Sequence, residues 1–319
     1  MLPNLPLVIA VVGPTCSGKT SLAIELAKEL NGEIVASDSR TIYKYMNIGT
    51  AKPTAAEQAQ VPHHMLDIIE PDQVYTASQF KRDAGKVLNQ ITAAGKIPVV
   101  CGGTGFYVRA LLEGLRMPEV EPQQDIRDEL TKIAEARGVE HLREILRQLD
   151  PASAEKIGPN DRFRLIRAIE VSRVLNVPFS QAASREPVPY NIVWIGLTAA
   201  RRELLKERII ERIEAQLNEG LVAEVQSIYT KFGATQALKN TVAYAEFIQH
   251  IDGTLSLDQA RDETVKHSVA LARRQLIWFR SNTQMNWFAI DEQDKEAIFD
   301  QCLTKIKSIS NELVVQQHI

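Results

Sequence analysis

The sequence predicts an α/β protein: a mostly parallel sheet flanked by helices and interrupted by an all-helical insertion. Three observations predict it. Short apolar runs at Leu5 to Val12, Gly32 to Ala36 and Ile97 to Cys101 each lead through turn residues into helical periodicity, the pattern of βα units. The first run opens onto Gly13-Pro14-Thr15-Cys16-Ser17-Gly18-Lys19-Thr20, which fits G-x-x-x-x-G-K-[ST]. From about Arg116 to about Pro189 strand character gives way to polar, proline-punctuated helical segments. The expected organisation is a P-loop NTPase-like core in two parts, residues 1–115 and 190–319, around a helical insertion over 116–189.

In the phosphate loop, glycines let backbone N–H groups turn toward one point, the following helix adds partial positive charge and Lys19 adds a full one. A di- or triphosphate is the expected guest at Gly13 and Thr15 to Thr20, and the Thr20 hydroxyl is the expected ligand of an accompanying Mg2+. After the second strand, Ser37-Asp38-Ser39-Arg40 lies at a carboxyl end, where open α/β sheets bind ligands. Asp38 therefore belongs near the loop, either as a reacting carboxylate, as a helix cap or as a magnesium-side ligand. His63 and His64 are adjacent, so their side chains diverge, and no Cys or further His completes a metal set. Thr76 to Gln79 reads as a capping box for a helix with Phe80, Ala84, Val87, Leu88 and Ile91 on one face. The third strand ends in Gly102-Gly103-Thr104-Gly105, where glycines permit close approach and Thr104 is a candidate contact. No carboxylate ends this strand, which counts against ATP hydrolysis.

Within the insertion, helices are marked by Ile126, Leu130 and Ile133, by Leu142, Ile145, Leu146 and Leu149, and by Arg162 to Leu175. Ile192 to Leu197 returns to strand. The long helix after it carries Arg208 and Arg212 on one face, suited to a pyrophosphate or a phosphodiester, or else an ordinary charged face with Glu211 neutralising one. A helix over Leu257 to Arg280 repeats Lys266, Arg273 and Arg280 beside Trp278 and Phe279, either an RNA backbone contact or a surface helix with its aromatics turned inward. One more amphipathic helix runs through Ile298, Phe299, Cys302, Leu303 and Ile306.

Composition bounds the function. A net charge of -3 supplies no overall basic field, so a nucleic-acid site must be a local patch. Three cysteines without paired spacing fit a reducing compartment. No apolar run approaches the roughly 18 residues of a membrane span, so a soluble, cytoplasmic protein with no membrane partner is expected.

The phosphate loop, Ser37 to Lys44, Ile48-Gly49-Thr50-Ala51-Lys52-Pro53, Val61-Pro62-His63-His64, Gly102 to Gly105, Pro159-Asn160-Asp161 with Arg164 and Arg167, the Arg202, Arg208 and Arg212 series, Gly220-Leu221, Glu224-Val225 and Arg274-Gln275 with Trp278-Phe279-Arg280 occur in this order. The array resembles the tRNA dimethylallyltransferases, from about residue 7 to about residue 288. The resemblance implies transfer of a dimethylallyl group from dimethylallyl diphosphate to the exocyclic amine of the adenosine 3′ of a tRNA anticodon. It implies that Thr15 to Thr20 hold the diphosphate, Asp38 is the general base and Arg212, with Lys19, assists the leaving group. It places tRNA against Asp38, Ser39, Arg40, Thr41, Thr104, Arg127, Phe163, Arg164, Leu165, Ile166, Arg167 and the Arg273 to Arg280 region, including Arg274, with the insertion clasping the anticodon stem-loop and the enzyme a monomer. Two places depart from the family: its Gly-Tyr-Lys/Arg-Glu is Ala243-Tyr244-Ala245-Glu246, and its Thr-Arg is Ser268-Val269. Both bear on RNA affinity or tRNA choice more than on the reaction. A small-molecule kinase, an adenylate prenyltransferase and a non-catalytic RNA-binding descendant are the competing readings.

Overall fold

The computed structural model describes residues 5–316. Its strands are β1 (Leu7–Val12), β2 (Gly32–Ala36), β3 (His63–His64), β4 (Ile97–Gly102), β5 (Asn191–Thr198) and β6 (Asn286–Ala289). The first helices are α1 (Lys19–Glu29), α2 (Ala55–Gln58), α3 (Ala77–Ala93) and α4 (Gly105–Leu112). Then come α5 (Gln124–Arg137), α6 (Val139–Leu149), α7 (Pro151–Lys156), α8 (Arg162–Leu175) and α9 (Phe179–Ala182). The last are α10 (Arg202–Asn218), α11 (Leu221–Phe232), α12 (Gln236–Lys239), α13 (Tyr244–Ile251), α14 (Leu257–Arg280) and α15 (Lys295–Gln316). Residues 109–188 form one compact unit and the rest of the chain another.

The larger unit holds a six-stranded sheet in the order β3-β2-β4-β1-β5-β6, every neighbouring pair parallel. Val8 through Val12 are wholly buried, as a strand covered on both faces requires. That burial explains why β1 reads as a continuous apolar run and not as an alternation. Leu22, Leu26, Cys302 and Ile306 place α1 and α15 against the sheet. A second core joins Leu221, Val225, Tyr244 and Phe247 to Ile42 and Met46, so the chain after β2 is packed against α11 and α13. Register sets the functional edge: Val12 pairs with Gly102 and Gly196, and Ala36 with Cys101, so these strands end at one level. Their loops are thereby brought together.

The Thr76 capping box forms as expected, Thr76 Oγ1 accepting from Gln79 N and Gln79 Oε1 accepting from Thr76 N at 2.7 Å. Strands β3 and β6 were not expected. Two and four residues are too short to show a period, and pairing with β2 and β5 defines them. His64 Nε2 meets Glu33 at 2.6 Å, an edge-strand role.

The smaller unit packs Leu130, Leu142, Leu146, Leu165 and Ile169 in one core. Its centre is Glu170, fully buried, which accepts from Gln123 N at 2.7 Å, Arg127 Nε at 2.8 Å, Arg127 Nη2 at 3.0 Å and Arg167 Nη1 at 2.8 Å. Four residues expected at RNA have packing roles here. Leu165 and Ile166 lie on the buried face of α8, and the guanidiniums of Arg127 and Arg167 are engaged by Glu170. Phe163 and Arg164 remain exposed.

Burial alone would push the Glu170 carboxyl up, but the Arg127, Arg167 and Gln123 bonds outweigh it and hold it below its ordinary 4.5. A carboxyl lowered on folding contributes stability above its unfolded value that is lost as pH falls through the folded one. Glu170→Gln is therefore expected to loosen the unit by about 2–3 kcal/mol, since each arginine keeps access to water. Hydrogen exchange of α5 and α8 amides measures this. Between pH 7 and 3 the wild-type amides should lose protection below about pH 4.5, and the variant should lack that acid step.

Candidate active site

The phosphate loop follows β1 with Gly13 at φ 150°, Cys16 at 62° and Gly18 at 84°. A Cβ on Gly13 would run into the Leu197 carbonyl at the end of β5, so only glycine passes there. Gly18 stands at the N-cap of α1 with no side-chain cap, leaving first-turn N–H groups for an anion. Lys19 begins the helix, and its ammonium donates to the Pro14 carbonyl at 2.5 Å. Burial pushes the Lys19 pKa down and Arg212 acts the same way, while Cys101 and Asp38 oppose. The neighbouring Cys101 thiol is pushed up to about 11 by burial and stays neutral.

Asp38 is held by the loops around it. Ser37 N donates to Cys101 O at 2.7 Å, extending the β2–β4 pairing, and Thr104 Oγ1 accepts from Ser39 N at 3.0 Å. Asp38 Oδ1 accepts from Arg40 N at 2.8 Å, and Oδ2 has no protein partner among the described residues. Thr41 is buried, with its hydroxyl turned to the Asp38 carbonyl at 3.5 Å, and so serves the loop. From α10, Arg212 projects toward the same place with Nε buried and unpartnered. No carboxylate of the described residues pairs with it, Glu211 included. Arg208 lines a separate small cavity with Ser17, Gly18 and Ser21, so the two arginines part company.

Two cavities meet here. One, about 390 Å3, is bounded by Arg40, Thr104, Arg274, Gln275 and Trp278. The other, about 220 Å3, is bounded by Cys16, Gly18, Thr20, His63 and Cys101. Thr15, Lys19, Asp38, Thr50, Gly103 and Arg212 line both. A carboxylate between two cations thus stands where the two spaces join.

Three supports were not assigned roles from sequence. Glu224 accepts from the backbone N–H of Asn47 at 3.0 Å, Ile48 at 2.9 Å and Gly49 at 3.1 Å, and from the Tyr244 hydroxyl. A Cβ on Gly49 would overlap the Tyr244 ring, so glycine lets this loop dock. Lys52, buried, donates to Tyr43 O at 2.7 Å and Asn47 Oδ1 at 2.9 Å and pairs with Asp67 at 2.5 Å. Finally, Gln275 Oε1 accepts from Thr15 N at 2.8 Å, joining α14 to the phosphate loop. The signal available for these was only that Gly49, Glu224 and Gln275 fall within motifs.

Of the expected RNA residues, Ser39, Arg40, Thr104 and Arg274 line the larger cavity, while Arg273 and Arg280 are exposed on α14. Lys266 is paired with Glu263 at 2.9 Å. Ala243, where the family pattern has glycine, has φ 78° and ψ −45°. Glu246, buried, holds its N–H at 2.7 Å and meets His267 Nδ1 at 2.5 Å. A methyl side chain is disfavoured at that φ.

For a metal, Thr20 offers a hydroxyl to the smaller cavity. His63 Nδ1 lies 2.9 Å from Val61 O and so carries the proton, leaving Nε2 a buried, unpartnered acceptor. Burial pushes its pKa down, which keeps the ring neutral. Among the described residues no three His, Cys, Asp or Glu side chains converge on a metal position. The donor set suits an ion that takes few protein ligands and completes its shell with phosphate and water, as Mg2+ does.

A P-loop α/β fold whose cationic cradle opens on two cavities, with one carboxylate at their junction, is a group transferase in form. The chain belongs to the IPP transferase family, whose model matches residues 41–282. It is 40% identical over 291 residues to the tRNA dimethylallyltransferase of Cyanothece sp., covering 91% of this chain and 95% of that one. With the tRNA dimethylallyltransferase of Caldanaerobacter subterraneus subsp. tengcongensis it shares 35% identity over 313 residues, 94% of this chain and 98% of the relative. The crystal structure of the full-length tRNA isopentenylpyrophosphate transferase from Bacillus halodurans superposes with a TM-score of 0.73 at 34% identity, covering 99% of this chain and 100% of that one.

Two outcomes follow from these supports. Ala243→Gly is expected to raise stability by about 1 kcal/mol in denaturant titrations, because glycine accepts the observed φ. Gln275→Ala is expected to weaken inorganic diphosphate binding about 5- to 10-fold by calorimetry, the value of one backbone anchor to the loop.

Proposed function

We propose that this chain transfers a dimethylallyl group from dimethylallyl diphosphate to the exocyclic amine of the adenosine 3′ of a tRNA anticodon, releasing diphosphate. The observation that carries this reading is Asp38 flanked by Lys19 and Arg212 where the two cavities meet. The smaller cavity takes the diphosphate on the loop from Gly13 to Thr20, and the larger takes the adenosine. The new C–N bond forms as the C–O bond to the diphosphate breaks, and the electron pair of that bond leaves with the diphosphate. An adenine amine is a weak nucleophile because its lone pair is delocalised into the ring. Asp38 Oδ2 takes the proton that the amine loses. Lys19, Arg212 and the loop N–H groups meet the charge that accumulates on the leaving diphosphate. Thr20 would hold Mg2+, which neutralises diphosphate charge when bound.

The acceptor base must leave its stack to reach Asp38, and loop RNA lowers that cost. Free Cys16, Cys101 and Cys302 suit the reducing cytoplasm. Among the described residues no helix is long and apolar enough to cross a membrane.

Purified protein with Mg2+, dimethylallyl diphosphate and bulk tRNA should yield prenylated adenosine on nucleoside analysis. ADP formation from ATP without prenyl transfer would establish a kinase instead, and equal prenylation of free AMP would establish an adenylate prenyltransferase. RNA binding with no product would establish a non-catalytic binder. Asp38→Asn keeps the acceptor for Arg40 N and removes the base, so turnover should fall about a hundredfold or more while the Kd for tRNA stays within a few-fold. Near-normal turnover would remove Asp38 from that role.

A further inference from the structure

Phe106 is the second residue of α4 and is 42% exposed, a large apolar ring at the rim of the larger cavity. Its ring meets Trp278 of α14 edge to face, with centroids 6.2 Å apart and planes at 62°. Gly105 makes the meeting possible, since a Cβ there would stand 2.9 Å from Trp278 Cβ. With 42% of its surface exposed, the phenyl ring is only partly covered by that contact. Arg40 and Arg274 line the same cavity, and Arg273 and Arg280 are exposed on α14, the helix that carries Arg274 and Trp278. None of these four guanidiniums forms an ion pair among the described residues.

An exposed aromatic face among unpaired arginines is the composition of a single-stranded nucleic-acid platform, in which bases stack and phosphates meet guanidiniums. We propose that Phe106, braced by Trp278, stacks the RNA base next to the acceptor adenosine and so fixes how far that adenosine enters. The assignment to the neighbouring base follows from depth. Asp38, which must reach the acceptor amine, borders both cavities, whereas Phe106 borders only the larger one and lies at its rim. A base whose amine is at Asp38 has passed the rim, and the next base along the strand is the one left there. This inference rests on the proposed RNA acceptor.

The test uses the full chain and an anticodon stem-loop with 2-aminopurine beside the acceptor adenosine. Wild-type protein should bind it with the probe's fluorescence quenched by the ring. Phe106→Ala should raise the Kd about 5- to 50-fold, the range for loss of one base–aromatic stack, and the bound probe should brighten. Phe106→Leu keeps an apolar side chain of similar bulk, so it should behave like alanine in fluorescence, while Phe106→Tyr should restore quenching. In turnover, the alanine variant should lose more in KM for RNA than in kcat, with inorganic diphosphate affinity unchanged. Alanine and leucine variants with wild-type affinity and quenching would overturn the platform. So would a loss confined to dimethylallyl diphosphate binding, which would assign the ring to the donor. Quenched binding without prenyl transfer would keep the platform and reject the reaction, and no binding by the wild type would reject both.

Discussion

Two cations of the larger unit face the same space with one carboxylate between them, and this imbalance is the condition the rest of the structure serves. Lys19 turns its ammonium onto the Pro14 carbonyl, and Arg212 keeps a buried Nε with no partner. Placing charge out of water costs several kcal/mol per ion unless it is matched. A polyanion is the guest that matches this pair, because Asp38 alone offers one negative charge for two positive ones. The cradle is therefore charged in advance, and binding energy is not spent on assembling it.

Holding that arrangement requires connections from distant parts of the chain. Arg212 on α10 and Gln275 on α14 belong to helices joined through Ile209, Ile213 and Ala272, a small cluster against which Cys16 also packs. One contact region thus fixes an arginine on one side of the cradle and the amide that anchors Thr15 on the other. Glu224 gathers three successive N–H groups of the loop that carries Thr50 into both cavities. Each device uses a charged or amide side chain to pin backbone, and among the described residues Asp38 Oδ2 and Arg212 Nε are left without a protein partner.

What was legible in the sequence is what local chemistry determines. The phosphate loop is a contiguous turn, the caps at Thr76 and the helices Arg162–Leu175 and Leu257–Arg280 are local patterns, and buried strands carry their own apolar run. Gln275 and Thr15 are 260 positions apart and Glu224 and Asn47 are 177 apart, so no window contains both partners. Some of the expected RNA residues also have packing roles that the sequence did not show. Leu165 and Ile169 are spaced for a core stripe, and Glu170 draws in Arg127 and Arg167, so a motif that includes them reports packing of the helical unit as much as contact with RNA. Ala243 carried a departure from the pattern, but only the backbone shows why glycine belongs there.

The end of β4 decides between two uses of a phosphate loop. A phosphoryl-transfer enzyme needs a second metal-holding carboxylate near the loop, and the end of the neighbouring strand is where it usually stands. Here the strand ends in Gly102 and Gly103, and a Cβ on Gly102 would collide with the Ser37 backbone. A Cβ on Gly103 would collide with the side-chain amide of Gln275, the same amide whose oxygen holds Thr15 N. The volume a carboxylate would need is occupied by the brace that ties α14 to the loop. Asp38, in the loop that follows the neighbouring strand β2, is the carboxylate that remains, and it borders the larger cavity as well as the smaller one. That placement suits removing a proton from an acceptor while an intact diphosphate departs, and it does not suit carrying a phosphoryl group across.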